Sequence, residues 1–577
     1  MRFSVPVLPA VFSAGLLAPF PGPVLADDWY MPAAERAAQY AAFDQPMRRS
    51  VVEFQPFRAA RAATLADGTP LRLTLLNSGV QDWFLLEIGS GRAARSWHLE
   101  NAAPEIFAVR LETEDTPALV IASEAGDVTC RPWEGALEGA ATSGLPYAPL
   151  CEGRLYLRNP GSGSRTGREA VAEFLRSYVP FGEDIVTLAK DTFYRDAWLQ
   201  TSPVLDEAEA GAVVEALGRA RLGSHPVMRA NLDVELVGAS GRQMEAGAWY
   251  AVADAPGVYA SVVQPGMVHP EILSRRGEAN ALDGVENRAD VWLFGFDLAH
   301  FELGYEPGTD HPAVNWSPRP SGAGRNPSLP GPDGFATLEP LVRTGMLSPA
   351  LTDRVAAIFA GGFKREHGAW RRGPKATSNH GHHYGFVVRG TVLSRLQPGL
   401  ATIYALDDGT IGMRAWTEAD AALLPRVRFA RQNGVPLIEP HTETGEPVPG
   451  QHVRDWMGGN WSGSAEAQLR TLRAGACLRQ ADGRPFLVYA VFSSVTPSGM
   501  ARTFQAYGCE QAMLLDMNSL DLTYAAIYTR EAEGGGLRIH HLDRRMAGSD
   551  TRGRDGRLMA RFVEYADNRD FIYLLRR

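Results

Sequence analysis

Gly508–Ser519 reads "GCEQAMLLDMNS", and the class of the fold turns on this stretch. Ala512, Met513, Leu514 and Leu515 form an unbroken apolar run of strand length. Before it, "PSGMARTFQAY" (497–507) reads as a helix, with Ser498 as a candidate cap and Gly508 as its stop. The strand then emerges at a polar cluster, Asp516, Asn518 and Ser519. A second unit of the same kind is "SPALTDRVAAIFAGGF" (348–363). There Ser348 caps, Pro349 takes the first helical position, and an apolar strand closes at Gly361-Gly362. Strands and helices alternate here without regular βαβ order. The expected class is α+β, with a mixed-sheet C-terminal domain and packed helices.

Working outward, "GVYASVVQP" (257–265) and "DVWLFGFDLAHFELGYEPG" (290–308) read as strands. "HYGFVVRGTVL" (383–393) and "ATIYALDDGTIGMRAW" (401–416) read as hairpins, the second turning at Asp408-Gly409. Nearer the N-terminus, "PLRLTLLNSG" (70–79), "DWFLLEIGSG" (82–91), "EIFAVRLETE" (105–114) and "PALVIASEAG" (117–126) are short apolar runs closed by turn residues. Their spacing predicts a modest sandwich or barrel. "PAAERAAQYAAF" (32–43) and "REAVAEFLRSYV" (168–179) read as helices, and "NPGSGSRTG" (159–167) as a loop. The expected division is a leader over 1–26, a β-rich accessory domain over 27–240 and a second domain over 241–577.

A chain of 577 residues exceeds what one hydrophobic core usually spans. Its formal charge of −9 speaks against nucleic acid as a partner. The first 26 residues carry Arg2, an apolar stretch and Val24-Leu25-Ala26, the layout of a secretory signal peptide cut after Ala26, so a periplasmic or secreted location is expected. No later stretch reaches the ~20 apolar residues of a spanning helix. Four cysteines fit an oxidising compartment. Pairing in sequence order, Cys130 with Cys151 and Cys477 with Cys509, is the simplest of three connectivities.

Several stretches of the second half, taken in order, resemble the phosphodiester glycosidase family, the secreted domain typified by the mannose 6-phosphate uncovering enzyme. They are "PGVYASVVQP" (256–265), "LFGFDLAHFELGYEPG" (293–308), "AAIFAGGF" (356–363), "VRFARQNGVPLIE" (427–439), "LRAGACLRQADGRPFLVYAV" (472–491) and the opening stretch. The resemblance covers about residues 254–577. Where the family has an Asn-Gly turn, this chain has Ala360-Gly361-Gly362. Where the family ends its strand in glycines, this chain has Met517-Asn518.

The resemblance implies hydrolysis of a phosphodiester-linked or otherwise anionic glycan in an envelope or extracellular polysaccharide. Such chemistry needs a cation for the phosphate, a carboxylate for the sugar and close backbone amides. Arg473 falls on the family's arginine and is the expected phosphate anchor; Asp516 is the expected carboxylate. Gly361 and Gly362 are expected to offer amides. Gln432, Asn433, Asn518, Ser519 and His382 are expected on the substrate side. His380, His382 and His383 in "SNHGHHYG" lack a recognised metal-ligand spacing. No metal or cofactor is therefore expected, and "HHLDRR" (540–545) reads as solvated surface. The alternative reading is a catalytically inactive glycan-binding or envelope-organising protein of the same fold.

Overall fold

The computed structural model describes residues 58–577 except 115, 166–169, 172–173, 176–177, 180–193, 206–210, 239–241, 276, 313–337, 339, 364–383, 395, 455–468 and 532–535. The expected leader, the 32–43 helix and the histidines 380, 382 and 383 lie outside the described residues.

The described chain is built from six antiparallel sheets. Helices are few and short: Ala136–Thr142, Pro270–Leu273 and Pro497–Ala506. This overturns the α+β expectation, because the C-terminal part is sheet packed on sheet. Two signals misled. Ser348-Pro349 opens only a 3-10 turn, Pro349–Leu351, before the Val355–Ala360 strand. The long apolar runs are strands buried on both faces. The Pro497–Ala506 helix is real, but Thr496 caps it, its hydroxyl accepting from Gly499 N at 3.3 Å, and Ser498 lies inside.

Three sheets carry the C-terminal part. An eight-stranded sheet has the order Tyr250–Ala251, Val258–Val263, Val291–Asp297, Arg484–Val495, Thr471–Ala481, Gln511–Met517, Pro436–Pro440 and Pro447–Pro449. The Phe571 sheet runs Phe301–Glu306, Phe571–Arg576, Val355–Ala360, Ala525–Arg530, Leu537–His541. The Val427 sheet runs Thr391–Ser394, Phe386–Val388, Val427–Gln432, Ala401–Leu406, Ile411–Ala415, with its hairpin turning at Gly409 (φ +80°). Aromatic contacts join the layers. Phe359 of the Phe571 sheet meets Tyr489 of the eight-stranded sheet at 4.6 Å, and Phe429 meets Tyr573 at 6.1 Å.

The N-terminal residues form a six-stranded sheet, Ala60–Thr64, Pro70–Leu75, Trp83–Ile88, Arg95–Asn101, Leu155–Arg158, Tyr147–Leu150. One face packs on a three-stranded sheet (Ala108–Glu112, Ala118–Ala122, Val128–Cys130) and the Ala136–Thr142 helix. Alternation along a strand explains how its other face is used. Phe84 and Leu86 enter this local core, whereas Trp83 and Leu85 join the large core of the C-terminal sheets. Residues Leu217–Val234 and Met244–Trp249 supply side chains to that large core as well.

A buried charge network seals the junction. Arg158 bonds Glu100 and, at 2.6 Å, Glu306; Arg389 bonds Asp82 and lies 3.6 Å from Glu100. Asp82, Glu100 and Arg158 come from the N-terminal sheet, Glu306 and Arg389 from the C-terminal ones. Burial pushes the Asp82 and Glu306 carboxyls up, against the pull of the arginines. His98 accepts from Val342 N through Nδ1 at 3.1 Å, and burial, reinforced by Arg158 and Arg389, holds it well below its ordinary value.

The disulfides are Cys130–Cys151 and Cys477–Cys509, the sequential pairing, and they fit an exported protein. The first ties the three-stranded sheet to the turn before Leu155–Arg158. The second ties Thr471–Ala481 to the exit of the Pro497–Ala506 helix. Among the described residues no helix is long and apolar enough to cross a membrane.

Two outcomes follow from the sealed junction. Arg158→Met strands two buried carboxylates and should cost about 3–5 kcal/mol by urea unfolding, with part recovered by adding Glu306→Gln. His98 is neutral when folded, so its contribution is present above the unfolded value near 6.5 and is lost as pH falls below it. Stability should fall by at most about 1.4 kcal/mol per pH unit from this group, and His98→Gln should flatten the slope between pH ~6.5 and ~5.

Candidate functional site

The ends of four strands converge where the three C-terminal sheets meet. Gln511–Met517 ends at Asp516 and Met517, Val355–Ala360 ends at the glycine pair, Val427–Gln432 ends at Arg431 and Gln432, and Phe571–Arg576 begins just after Asp570. Antiparallel pairing of Ala360 with Phe571, and of Glu306 with Phe571, brings these ends level. Apolar strand interiors fix the register, so the polar residues at their ends gather in one place.

Asp516 is 4% exposed. Its Oδ1 accepts from Met517 N at 2.9 Å, and its Oδ2 takes Arg569 Nη1 at 3.2 Å. The same Arg569 nitrogen lies 3.4 Å from His311 Nδ1. Beside this pair, Asp570 Oδ2 accepts from Arg431 Nε at 2.6 Å and Tyr305 hydroxyl at 2.9 Å. Asp570 Oδ1 is buried with no hydrogen bond among the described residues. Burial, then the Asp570 charge, drives Tyr305 well above its ordinary value, so it remains a neutral donor. Tyr489, in the eight-stranded sheet that also carries Asp516, is raised by burial and then by Asp516.

The glycine pair is constrained by close approach. A Cβ on Gly361 would stand 2.5 Å from Asp570 Oδ2, and one on Gly362 2.7 Å from Asn433 Oδ1. Asn433 spans the junction, accepting from Phe363 N at 3.0 Å and donating to Leu514 O at 2.7 Å. Gln432 is wholly engaged with Gly385, Gln397 and Thr402. Both amides therefore brace the backbone around the site.

Arg473 has a different employment from the expected phosphate anchor. Its guanidinium is buried; Nε donates to Val495 O and Nη2 to Leu469 O, both at 2.9 Å, while Nη1 meets Met517 Sδ at 3.3 Å. Burial, opposed only by the more distant Glu286, pushes it down to about 9. Asn518 adopts φ +83°, accepts from Trp198 Nε1 through its carbonyl at 3.0 Å, and takes the Thr471 hydroxyl at 3.2 Å. The Ser519 carbonyl closes a turn with Leu522 N and Thr523 N at 3.1 Å. His382 lies outside the described residues.

Sequence reasoning missed Arg569, Asp570, Arg431, Tyr305 and His311. A signal existed: "DNRD" (567–570) precedes the apolar run "FIYLLR", mirroring the polar cluster at the end of "AMLLDMNS". The "HHLDRR" stretch is corrected as well. His541 is 1% exposed, with Nε2 2.8 Å from Asp550 Oδ2 and Nδ1 3.5 Å from Asp233 Oδ2. Asp543 is fully buried and paired with Arg545.

Asn433→Ala should orphan the Phe363 amide and the Leu514 carbonyl and lower stability by about 2–4 kcal/mol in chemical unfolding. Gly362→Ala, which forces a Cβ onto the same amide, should be destabilising in the same assay.

No family model and no curated protein matches the chain. Among solved structures it is similar to the auto-inhibited catalytic domain of zebrafish N-acetylglucosamine-1-phosphodiester alpha-N-acetylglucosaminidase, at 10% identity and TM-score 0.27, over 56% of this chain and 85% of that one. It is also similar to a hypothetical protein of Synechocystis (11%, TM-score 0.22, 90% of this chain and 99% of that one). An exported protein of Burkholderia pseudomallei aligns over 95% of this chain and 100% of its own, at 11% identity and TM-score 0.16. At these levels of likeness, function rests on the residues of this chain.

Proposed function

We propose that the chain is an exported hydrolase of phosphodiester-linked or otherwise anionic glycans. The observation that carries this reading is the Asp516–Arg569 pair at the three-sheet junction, flanked by Asp570 and the glycine pair. Water adds to the anomeric carbon while the sugar–oxygen bond breaks and its electrons leave with the phosphate, and the proton the water gives up passes to the departing phosphate or to solvent. A phosphate leaving group needs little protonation. The demand on the protein is therefore to hold the phosphate and to stabilise positive charge on the sugar. Asp516 takes the second task.

The anchor is better assigned to Arg569 than to Arg473. Arg473 is occupied by two carbonyls and a thioether deep in the sheet. Arg569 presents a planar fork beside Asp516, and on substrate entry it exchanges contact with Asp516 and His311 for phosphate oxygens.

One observation favours a second reading, glycan binding without catalysis. Met517 covers the Arg473 nitrogen that would face a phosphate, and Asp516 is almost closed to solvent.

The test is sugar release from a panel of sugar phosphodiesters. Wild type should turn over at least one member, Asp516→Asn should lose at least about a hundredfold in kcat, and Arg569→Lys about tenfold. Folded protein that binds glycans yet releases no sugar from any of them selects the second reading.

A further inference from the structure

We propose that the linker between the N-terminal sheets and the C-terminal part is a built-in clamp on the site, with Ser164 as a positioning residue for Arg569. This rests on the reading of Asp516 and Arg569 given above. It assigns a role to a stretch that composition alone marks as an ordinary loop.

The clamp is visible in the glycines. Gly161 and Gly163 come shortly after the Leu155–Arg158 strand; Gly163 lies against the segment that carries Arg569, and Gly161 against Thr344 and Ala566. A Cβ on Gly163 would stand 2.2 Å from Thr309 Oγ1 and 2.5 Å from Asn568 N; one on Gly161 would stand 2.1 Å from Thr344 O. From the far side, Gly308 would place a Cβ 2.3 Å from Arg569 C, and Gly345 2.4 Å from Asp567 O. Backbone therefore meets backbone on several sides of residues 567–569, and no side chain other than hydrogen fits at these four positions.

Hydrogen bonds lock the packing. Ser164 forms a parallel bridge with Asp567, and its hydroxyl donates to Asp567 Oδ2 at 2.7 Å. Asp567 is 1% exposed and also accepts from Arg561 Nε at 2.9 Å and Nη2 at 3.0 Å. Its Oδ1 then takes the Arg569 amide at 2.9 Å. Thr309 N donates to Asp567 O at 3.1 Å and His311 N to Asn568 O at 3.0 Å, which ties the His311 side of the site to the same segment. The chain of contact runs Ser164, Asp567, Arg569 backbone, Asp516. A carboxylate holding four donors fixes the turn, and the turn aims the guanidinium.

The experiment uses the full chain with Ser164→Ala, Ser164→Thr and Gly163→Val. The first readout is kcat and KM on the best phosphodiester of the panel. The second is the rate at which phenylglyoxal modifies Arg569, followed by peptide mass spectrometry with the buried Arg473 as internal control. Ser164→Ala should lower kcat roughly fivefold to tenfold with KM within about twofold. It should also raise Arg569 modification severalfold while leaving Arg473 unchanged. Ser164→Thr, which keeps the hydroxyl, should restore both, and Gly163→Val should exaggerate both if it folds. Unchanged kcat and unchanged Arg569 reactivity in folded Ser164→Ala would overturn the clamp. So would a loss that Ser164→Thr fails to restore. If no variant, wild type included, turns over any substrate, the hydrolase reading fails. Arg569 reactivity alone then decides the clamp: a rise in Ser164→Ala supports it and no rise overturns it.

Discussion

Arg431 and Asp570 form an ion pair whose two side chains are wholly withdrawn from solvent. Much of the site geometry depends on it. Burying two charges costs several kcal/mol unless every donor is met, and here Arg431 also donates to the carbonyls of Phe363 and Gln432. The pair thus pins the end of the Val427–Gln432 strand, the residues after the glycine pair and the start of Phe571–Arg576 to one another. Gly361 must be glycine because Asp570 Oδ2 occupies the space of its Cβ. Once Asp570 is fixed, the preceding residue, Arg569, meets the end of the neighbouring sheet at Asp516. Such a pair is weak as a source of stability, and its structural value lies in specifying one arrangement of three sheets.

The same economy recurs one layer away. Glu306, two residues before Gly308, faces the N-terminal sheet and joins Arg158 and Arg389, while Tyr305 on the adjacent position bonds Asp570. One short strand end, Tyr305-Glu306, links the candidate site to the junction between the N-terminal and C-terminal sheets. The N-terminal sheets are therefore bound to the site-bearing sheets through buried polar contacts as well as through apolar packing, which matches the close threading of the 159–164 linker.

Local chemistry in the sequence identified what local chemistry controls. The Asp408-Gly409 turn, the sequential disulfides, the strands around Trp83, Val291 and Ala512, and the emergence of Asp516 at a strand end were all readable from short windows. Burial was not readable, and it accounts for the misses. Ser348-Pro349 signals the start of a turn, but the tertiary neighbours decide whether that turn continues as a helix. Gln432 and Asn433 carry amides suited to a substrate, yet long-range packing surrounds them with backbone groups that need partners. His541 and Asp543 look soluble in a run of charges, and the pairing of Ala526 with His541 draws them inside. Arg569 has no local mark beyond its charged neighbours. Its partner lies 53 residues away, so only the closure of the sheets brings the pair together.

The balance of charge limits how this site can recognise an anion. Among the described residues Asp516 faces Arg569 and Asp570 faces Arg431, so each of these charges already has an opposite partner. On the proposed reading, a phosphate that takes Arg569 would compete with Asp516 for the guanidinium, and the Asp516 it releases would be left to face the sugar. Such an exchange of partners would couple the two halves of the proposed reaction. The group that lets go of the arginine would then be the group the sugar needs, so that binding the anion would itself ready the carboxylate for the developing cation.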